Sequence, residues 1–134
     1  MNRFFIIAAL AFAAASPAFA GKVVVAASSS QANLDKAGVQ AIFLGRNTQV
    51  GGQPAVVVFQ KGPVRAPFES GVVGRAGAQL TSHWSRLVFT GRAKAPEDLA
   101  DDAAVKAKLA STPGAIGYIS DGAVDASVKV LFDF

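Results

Sequence analysis

Cysteine is absent from all 134 residues of this sequence. Disulfide bonds, zinc sites built on thiolates and lipid anchors attached to a cysteine are therefore excluded. A folded domain formed by this chain must be held together by its hydrophobic core alone. The chain is long enough to build such a core, and hydrophobic residues make up 51% of it.

Histidine occurs once, as His83, and this scarcity argues against acid–base catalysis. Ser82 and Ser85 flank His83, but no carboxylate lies three or four residues away on the predicted helix. A nucleophile, base and acid set would need partners that the sequence does not offer. We therefore expect His83 to be a surface or interface residue, and we predict that the protein is not an enzyme.

Motifs for metals and nucleotides are also missing. Asp101 and Asp102 are better explained as a helix start than as a calcium site, which needs six or more oxygen ligands. The stretch Gly71–Gly74 lacks the Lys-Ser/Thr pair of a nucleotide-binding loop. The sequence thus predicts neither a metal site nor a cofactor.

Positive charge is present but dispersed. The formal net charge is +4, and the lysines and arginines are spread along the chain rather than massed in one run. This distribution is poorly suited to nucleic acid, and a small anion or an acidic partner surface fits it better.

Residues 1–20 have the pattern of a secretory signal peptide. Arg3 supplies the positive start, Phe4–Ala15 is an unbroken apolar run, and Ala18-Phe19-Ala20 is a small-x-small cleavage site. A retained membrane anchor is the alternative, although the run is short of the ~20 residues that span a bilayer. We expect cleavage before Gly21, a periplasmic or otherwise exported domain over residues 21–134, and no membrane span after cleavage.

The remaining sequence alternates apolar strands with helices, which predicts an α/β fold with a partly parallel sheet. Asp35 is a candidate N-cap, followed by a helix with Val39, Ile42 and Phe43 on its buried face and Gly45 after its end. Near the C-terminal end, a linker over 93–96 leads into an acidic turn at Glu97 and Asp98. Another helix is then predicted to begin at Asp101 or Asp102 and to end at Ser111. Strands are predicted over 22–27, 55–59, 115–119 and 128–132.

The best-anchored predicted helix runs from Ala76 to Val88. Leu80, Trp84, Leu87 and Val88 recur at helical spacing and predict one apolar stripe against the core. Gly91 stands where a helix needs a left-handed terminating residue.

The turn after the second strand is the candidate anion site. Lys61, Gly62, Val64 and Arg65 combine backbone N–H groups and positive charge at a strand-to-helix junction. A plain turn with two solvated basic residues is the alternative. Ser28, Ser29 and Ser30 follow the first strand and are a second candidate for holding the anion, although a solvated loop explains them as well.

Three blocks of the sequence resemble the second lobe of periplasmic phosphate-type substrate-binding proteins. They are Ala41-Ile42-Phe43-Leu44-Gly45, Trp84 with Phe89-Thr90-Gly91-Arg92, and Thr112-Pro113-Gly114-Ala115-Ile116-Gly117-Tyr118. They occur in the family's order over nearly all of residues 21–134. The resemblance implies a single lobe of the type II periplasmic-binding-protein-like fold, with a central mixed sheet of about four to five strands flanked by helices.

In that family two lobes close on the anion, and a segment close to Ser-Gly-Thr-Arg holds phosphate. The corresponding residues here are Gly62-Pro63-Val64-Arg65, which keep the arginine and lack both hydroxyls, while Pro63 has no N–H to donate. The resemblance therefore implies weak binding of phosphate or a similar small anion, related to the substrate-binding components of ABC transporters. The alternative is a ligand-less interaction module that docks as a homodimer or onto a protein of an envelope or surface-appendage complex.

Overall fold

The computed structural model describes residues 21–134, so the predicted signal peptide lies outside the described residues. A π-helical turn, Glu69–Val73, continues the short helix Arg65–Phe68, and a 3-10 turn, Asp121–Ala123, follows the strand Ala115–Ser120. The helices are α1 Lys36–Phe43, α2 Arg65–Phe68, α3 Gly77–Phe89 and α4 Asp102–Ser111. The strands are β1 Gly21–Ala26, β2 Gln49–Val50, β3 Gln53–Pro54, β4 Val56–Gln60, β5 Glu97–Leu99, β6 Ala115–Ser120 and β7 Val128–Asp133.

The central sheet has five strands in the order β5-β4-β6-β1-β7. Strand β4 pairs in parallel with both β5 and β6, whereas β1 is antiparallel to both of its neighbours, β6 and β7. The predicted mixed α/β sheet of four to five strands is therefore confirmed. Strands β2 and β3 form a separate hairpin around Gly51 and Gly52.

Helices cover both faces of this sheet. Helices α1, α2 and α3 bury the larger core, in which Phe43 packs edge-on against Phe59, Phe68 and Tyr118. Helix α4 covers the other face with Val105 and Leu109. Gly117 lets α4 approach β6 closely, because a Cβ there would lie 2.8 Å from Val105. These layers bury the inner strands on both sides, which explains their continuous apolar runs.

Local signals fix the helix ends as the sequence predicted. The Asp35 carboxylate accepts a hydrogen bond from the Gly38 N–H at 2.7 Å, and Asp101 caps α4 through the Ala104 N–H at 2.9 Å. Gly45 and Gly91 adopt left-handed conformations just beyond α1 and α3, with φ of 76° and 73°.

Two expectations about the region around α3 are wrong. Glu97 and Asp98 belong to strand β5 rather than to an acidic turn, because their backbone pairs with β4. Val88 is 40% exposed and does not complete the buried stripe of α3. Within residues 21–134, no helix has both the length and the apolar character needed to cross a membrane.

Candidate functional site

The candidate anion site lies where the parallel strands end. Strand β4 ends at Gln60, and the Lys61 N–H donates to the Leu99 carbonyl at 2.9 Å, which ties the turn to the end of β5. The Arg65 N–H then donates to the Gly62 carbonyl at 3.1 Å as α2 begins. Pro67 is tolerated in the first turn of α2, where backbone N–H groups have no helical acceptor. The carboxyl edge of a parallel sheet is the usual place for ligands in open α/β folds.

Arg65 is held by two carboxylates. Its Nε donates to Glu69 at 2.5 Å, one helical turn away, and its Nη1 donates to Asp98 on β5 at 2.9 Å. Partial burial opposes the charge of Arg65, but the hydrogen bonds to Glu69 and Asp98 outweigh it and raise the pKa of the guanidinium. Among the described residues, Nη2 has no hydrogen-bond acceptor. The guanidinium is thus oriented with Nη2 left without an acceptor among the described residues, and its charge is already compensated.

A buried network of polar side chains packs against the start of the turn Lys61–Arg65. The Gln60 side chain is 1% exposed, and its Nε2 donates to Asp102 at 2.8 Å and to the Tyr118 carbonyl at 2.7 Å. The Tyr118 hydroxyl in turn contacts the backbone N–H and carbonyl of Gln60. Burial raises the pKa of Tyr118 well above its usual range, so the phenol stays neutral and serves packing rather than proton transfer.

Glu69 links this turn to α3. It is 4% exposed, and its second carboxylate oxygen accepts the Gly77 N–H at 3.1 Å, at the first residue of α3. Glu69, Asp98 and Gln60 were not identified from the sequence. The i,i+4 spacing of Arg65 and Glu69 is a signal that could have identified Glu69, whereas Asp98 is brought to Arg65 only by strand pairing.

An apolar groove of about 580 Å³ opens beside Arg65, between α3 and β5. Arg65 and Asp98 lie in its wall, and Val88 and Phe89 from the end of α3 are exposed along it. Its lining residues are Phe59, Arg65, Leu80, Thr81, Trp84, Ser85, Val88, Phe89, Ala95, Pro96, Glu97 and Asp98.

The three candidate serines lie at the opposite end of the strands from the turn with Arg65. Because β1 runs antiparallel to β6, its start packs near Val64 while Ser28, Ser29 and Ser30 follow its far end. They line a separate cleft of about 390 Å³ with Gly51 and the end of α4. The Ser30 hydroxyl donates to the Gly51 carbonyl, and the Ser29 hydroxyl accepts the Gln31 N–H. The structure therefore brings Lys61, Gly62, Val64 and Arg65 together but does not bring the serines to them.

His83 holds two elements together. One ring nitrogen lies 2.7 Å from the Leu44 carbonyl at the end of α1, and the other lies 2.8 Å from the Arg75 guanidinium. The neutral tautomer protonated at Nε2 satisfies both contacts. His83 is therefore half-buried and packs α3 against the end of α1, whereas the sequence predicted a surface or interface residue. The described residues contain no group of three or more metal-ligating side chains.

No protein-family model matches the sequence, and no match was found among the curated proteins. Solved structures do share its fold. One is a protein from Clostridium perfringens assigned as a phosphate ABC transporter substrate-binding protein and solved with bound phosphate. The two sequences are 19% identical and the TM-score is 0.64, and the match covers 83% of this chain and 43% of that chain.

Two further structures agree. An ABC-type phosphate transport receptor from Vibrio cholerae has 21% identity and a TM-score of 0.55, covering 83% of this chain and 44% of the other. PstS from Borrelia burgdorferi has 12% identity and a TM-score of 0.60, covering 84% of this chain and 46% of the other. The predicted resemblance is confirmed for the fold, and the chain spans less than half the length of each of these structures.

Proposed function

We propose that this protein is an exported binding protein that holds phosphate or a similar small anion weakly at the turn Lys61–Arg65. The observation that carries the proposal is the placement of Arg65, oriented by Glu69 and Asp98 at the carboxyl edge of the parallel strands. The likeness to a structure that contains bound phosphate supports the choice of anion.

The donors available to an anion can be counted from the turn. The Gly62 N–H has no acceptor among the described residues and is the backbone donor that an anion can reach; the Val64 N–H has no acceptor either, but Val64 is only 1% exposed. Arg65 Nη2 and the exposed Lys61 ammonium add charge-assisted donors, each contributing up to ~3 kcal/mol. Glu69 and Asp98 oppose this by repelling a fully ionised anion. We therefore expect a dissociation constant on the order of 1 mM, equivalent to about 4 kcal/mol of binding free energy.

The same carboxylates favour an anion that carries a proton. Phosphate near neutral pH keeps at least one O–H, which can donate to the Asp98 carboxylate, whereas sulfate has no proton to donate. We therefore expect phosphate to bind more tightly than sulfate, and chloride to be the weakest because it carries a single charge and has no O–H to donate to Asp98.

Phosphate is expected to raise the melting temperature of the protein in an Arg65-dependent manner. At ten times the dissociation constant the stabilisation is about 1.4 kcal/mol, which corresponds to roughly 6 °C for a domain of this size. Arg65→Met should abolish this rise because it removes the oriented guanidinium. The measurement is the difference in melting temperature with and without phosphate for each variant, so the loss of the Arg65 ion pairs cancels.

Arg46→Met is the matched control, since Arg46 is an exposed arginine outside the turn. It should keep the full phosphate response. A response that survives Arg65→Met, or that falls equally in both variants, contradicts the site. An equal rise with sulfate contradicts the role assigned to Asp98.

The proposed export makes a separate prediction about the N-terminus. We expect cleavage after Ala20, so that the exported protein begins at Gly21. Gly21 exchanges two backbone hydrogen bonds with Phe134, at 3.0 and 2.9 Å, and is buried against it. The intact mass of protein recovered from the periplasm or medium should match residues 21–134, and a mass that retains residues 1–20 contradicts the predicted signal peptide.

A further inference from the structure

A cavity of about 340 Å³ lies at the start of β4, at the opposite end of this strand from the turn Lys61–Arg65. Three buried apolar residues form its inner wall: Ile42 of α1, Val57 of β4 and Trp84 of α3. The Nε1 of Trp84 already donates to the Phe43 carbonyl. The side chains of this wall therefore offer a ligand an apolar contact surface and no free hydrogen-bond donor.

The charged residues that line the same cavity are both basic. They are Arg92 and Lys94, which are exposed, and no aspartate or glutamate lines the cavity with them. In the described part of the chain, neither of the two has a carboxylate within ion-pair distance. Arg65 differs, because its charge is compensated by Glu69 and Asp98. Two cations without a counter-ion beside an apolar wall fit a ligand that is anionic at one end and apolar at the other.

The two loops that line the cavity, one after α1 and one after α3, are held in place by backbone hydrogen bonds. In the first loop, the Asn47 N–H donates to the Ala41 carbonyl of α1 at 3.0 Å. In the second loop, the Arg92 N–H donates to the Leu87 carbonyl of α3 at 2.9 Å. A cavity whose loops are already ordered loses less conformational freedom when a ligand binds.

We propose that this cavity binds a small organic carboxylate, with its apolar body against Trp84 and its carboxylate beside Arg92. A guanidinium matches a carboxylate through two parallel hydrogen bonds. The volume lies near the lower end of the ~300–1,000 Å³ typical of ligand pockets, so a short aliphatic acid or a single-ring aromatic acid fits. Inorganic phosphate is disfavoured, because the apolar wall leaves oxygens of the ion without donors. The proposal does not rest on the anion site at the turn, since Arg65 does not line this cavity.

A titration with octanoate in a buffer without phosphate tests the proposal. Trp84 is the only tryptophan in the sequence and lines the cavity, so its fluorescence emission reports binding there. We expect a saturable shift of this emission with a dissociation constant on the order of 0.1 mM. Acetate lacks the apolar body and octanol lacks the charge, so each should bind at least ~10-fold more weakly than octanoate.

The substitution Arg92→Met distinguishes this cavity from the groove beside Arg65, which Trp84 also lines. Arg92 lines the cavity and not the groove, so Arg92→Met should weaken octanoate binding at least ~10-fold. Arg86→Met is the matched control, since Arg86 is an exposed arginine of α3 that lines neither of them. This variant should bind octanoate like the wild type.

Three outcomes overturn the proposal. The first is an emission of Trp84 that does not change up to ~5 mM octanoate. The second is octanoate binding that Arg92→Met leaves unchanged, or that Arg92→Met and Arg86→Met weaken equally. The third is octanol binding as tightly as octanoate, which would show that the charge of the ligand is not recognised. Because no phosphate is present, a failure of phosphate to bind at the turn would leave these expectations as they are.

Discussion

Trp84→Ala is expected to destabilise the protein by about 3–5 kcal/mol, a large part of the 5–15 kcal/mol that stabilises a typical domain. The indole is 6% exposed, and its Nε1 donates to the Phe43 carbonyl at the end of α1, at 3.0 Å. It also separates the groove beside Arg65 from a second cavity of about 340 Å³. Truncation removes the hydrogen bond from the indole to α1 and joins the two cavities.

The substitution Trp84→Phe separates the contribution of the buried ring from that of the indole hydrogen bond. It keeps most of the buried ring but leaves the Phe43 carbonyl without its donor, which should cost about 1–3 kcal/mol. Urea unfolding followed by circular dichroism measures both variants, since fluorescence loses its only tryptophan. A cost for Trp84→Ala below about 1 kcal/mol contradicts the central packing role of this residue.

Gly114→Ala is expected to cost about 3 kcal/mol or more, because two separate effects add. Gly114 has φ of 84°, where an L-residue is strained, and a Cβ there would lie 2.2 Å from the Pro54 carbonyl oxygen. The Gly114 carbonyl accepts the Val56 N–H at 2.9 Å, where β4 begins to pair with β6. A displacement of Gly114 therefore disturbs the strand pair that carries the candidate site.

Two other glycines give matched controls. Gly91 has φ of 73° and no neighbouring atom within 4 Å of an added Cβ, so Gly91→Ala should cost only the conformational strain, about 1–2 kcal/mol. Gly122 has neither a positive φ nor a close neighbour, and Gly122→Ala should be nearly neutral. If Gly114→Ala costs no more than Gly91→Ala, the close approach of Pro54 is not a constraint.

The helices and inner strands could be predicted because their signals are local. Asp35 and Asp101 cap helices through N–H groups three residues away, and the buried strands are continuous apolar runs. Strand β5 gave no such signal, since two of its three residues are acidic and only Leu99 is apolar. Its conformation comes from pairing with β4, which is not encoded in the segment itself.

The candidate site could be predicted only in part for the same reason. The turn with Lys61, Gly62 and Arg65 follows from the sequence order of a strand, a glycine and a helix. The carboxylate of Asp98 reaches Arg65 through the parallel pairing of β4 and β5. Similarly, because β1 is antiparallel to β6, Ser28, Ser29 and Ser30 lie at the opposite end of the strands from Arg65. The direction of a strand cannot be predicted from an apolar run alone.

A titration of the isotope-labelled protein with inorganic phosphate, followed by backbone amide chemical shifts at constant pH, tests the central claim most directly. Saturable shifts should appear at the amides of Gly62, Val64 and Arg65 with a midpoint on the order of 1 mM, and the amides of Ser28, Ser29 and Ser30 should not move. Unchanged amides at the turn, or shifts confined to the three serines, would contradict an anion site at Arg65.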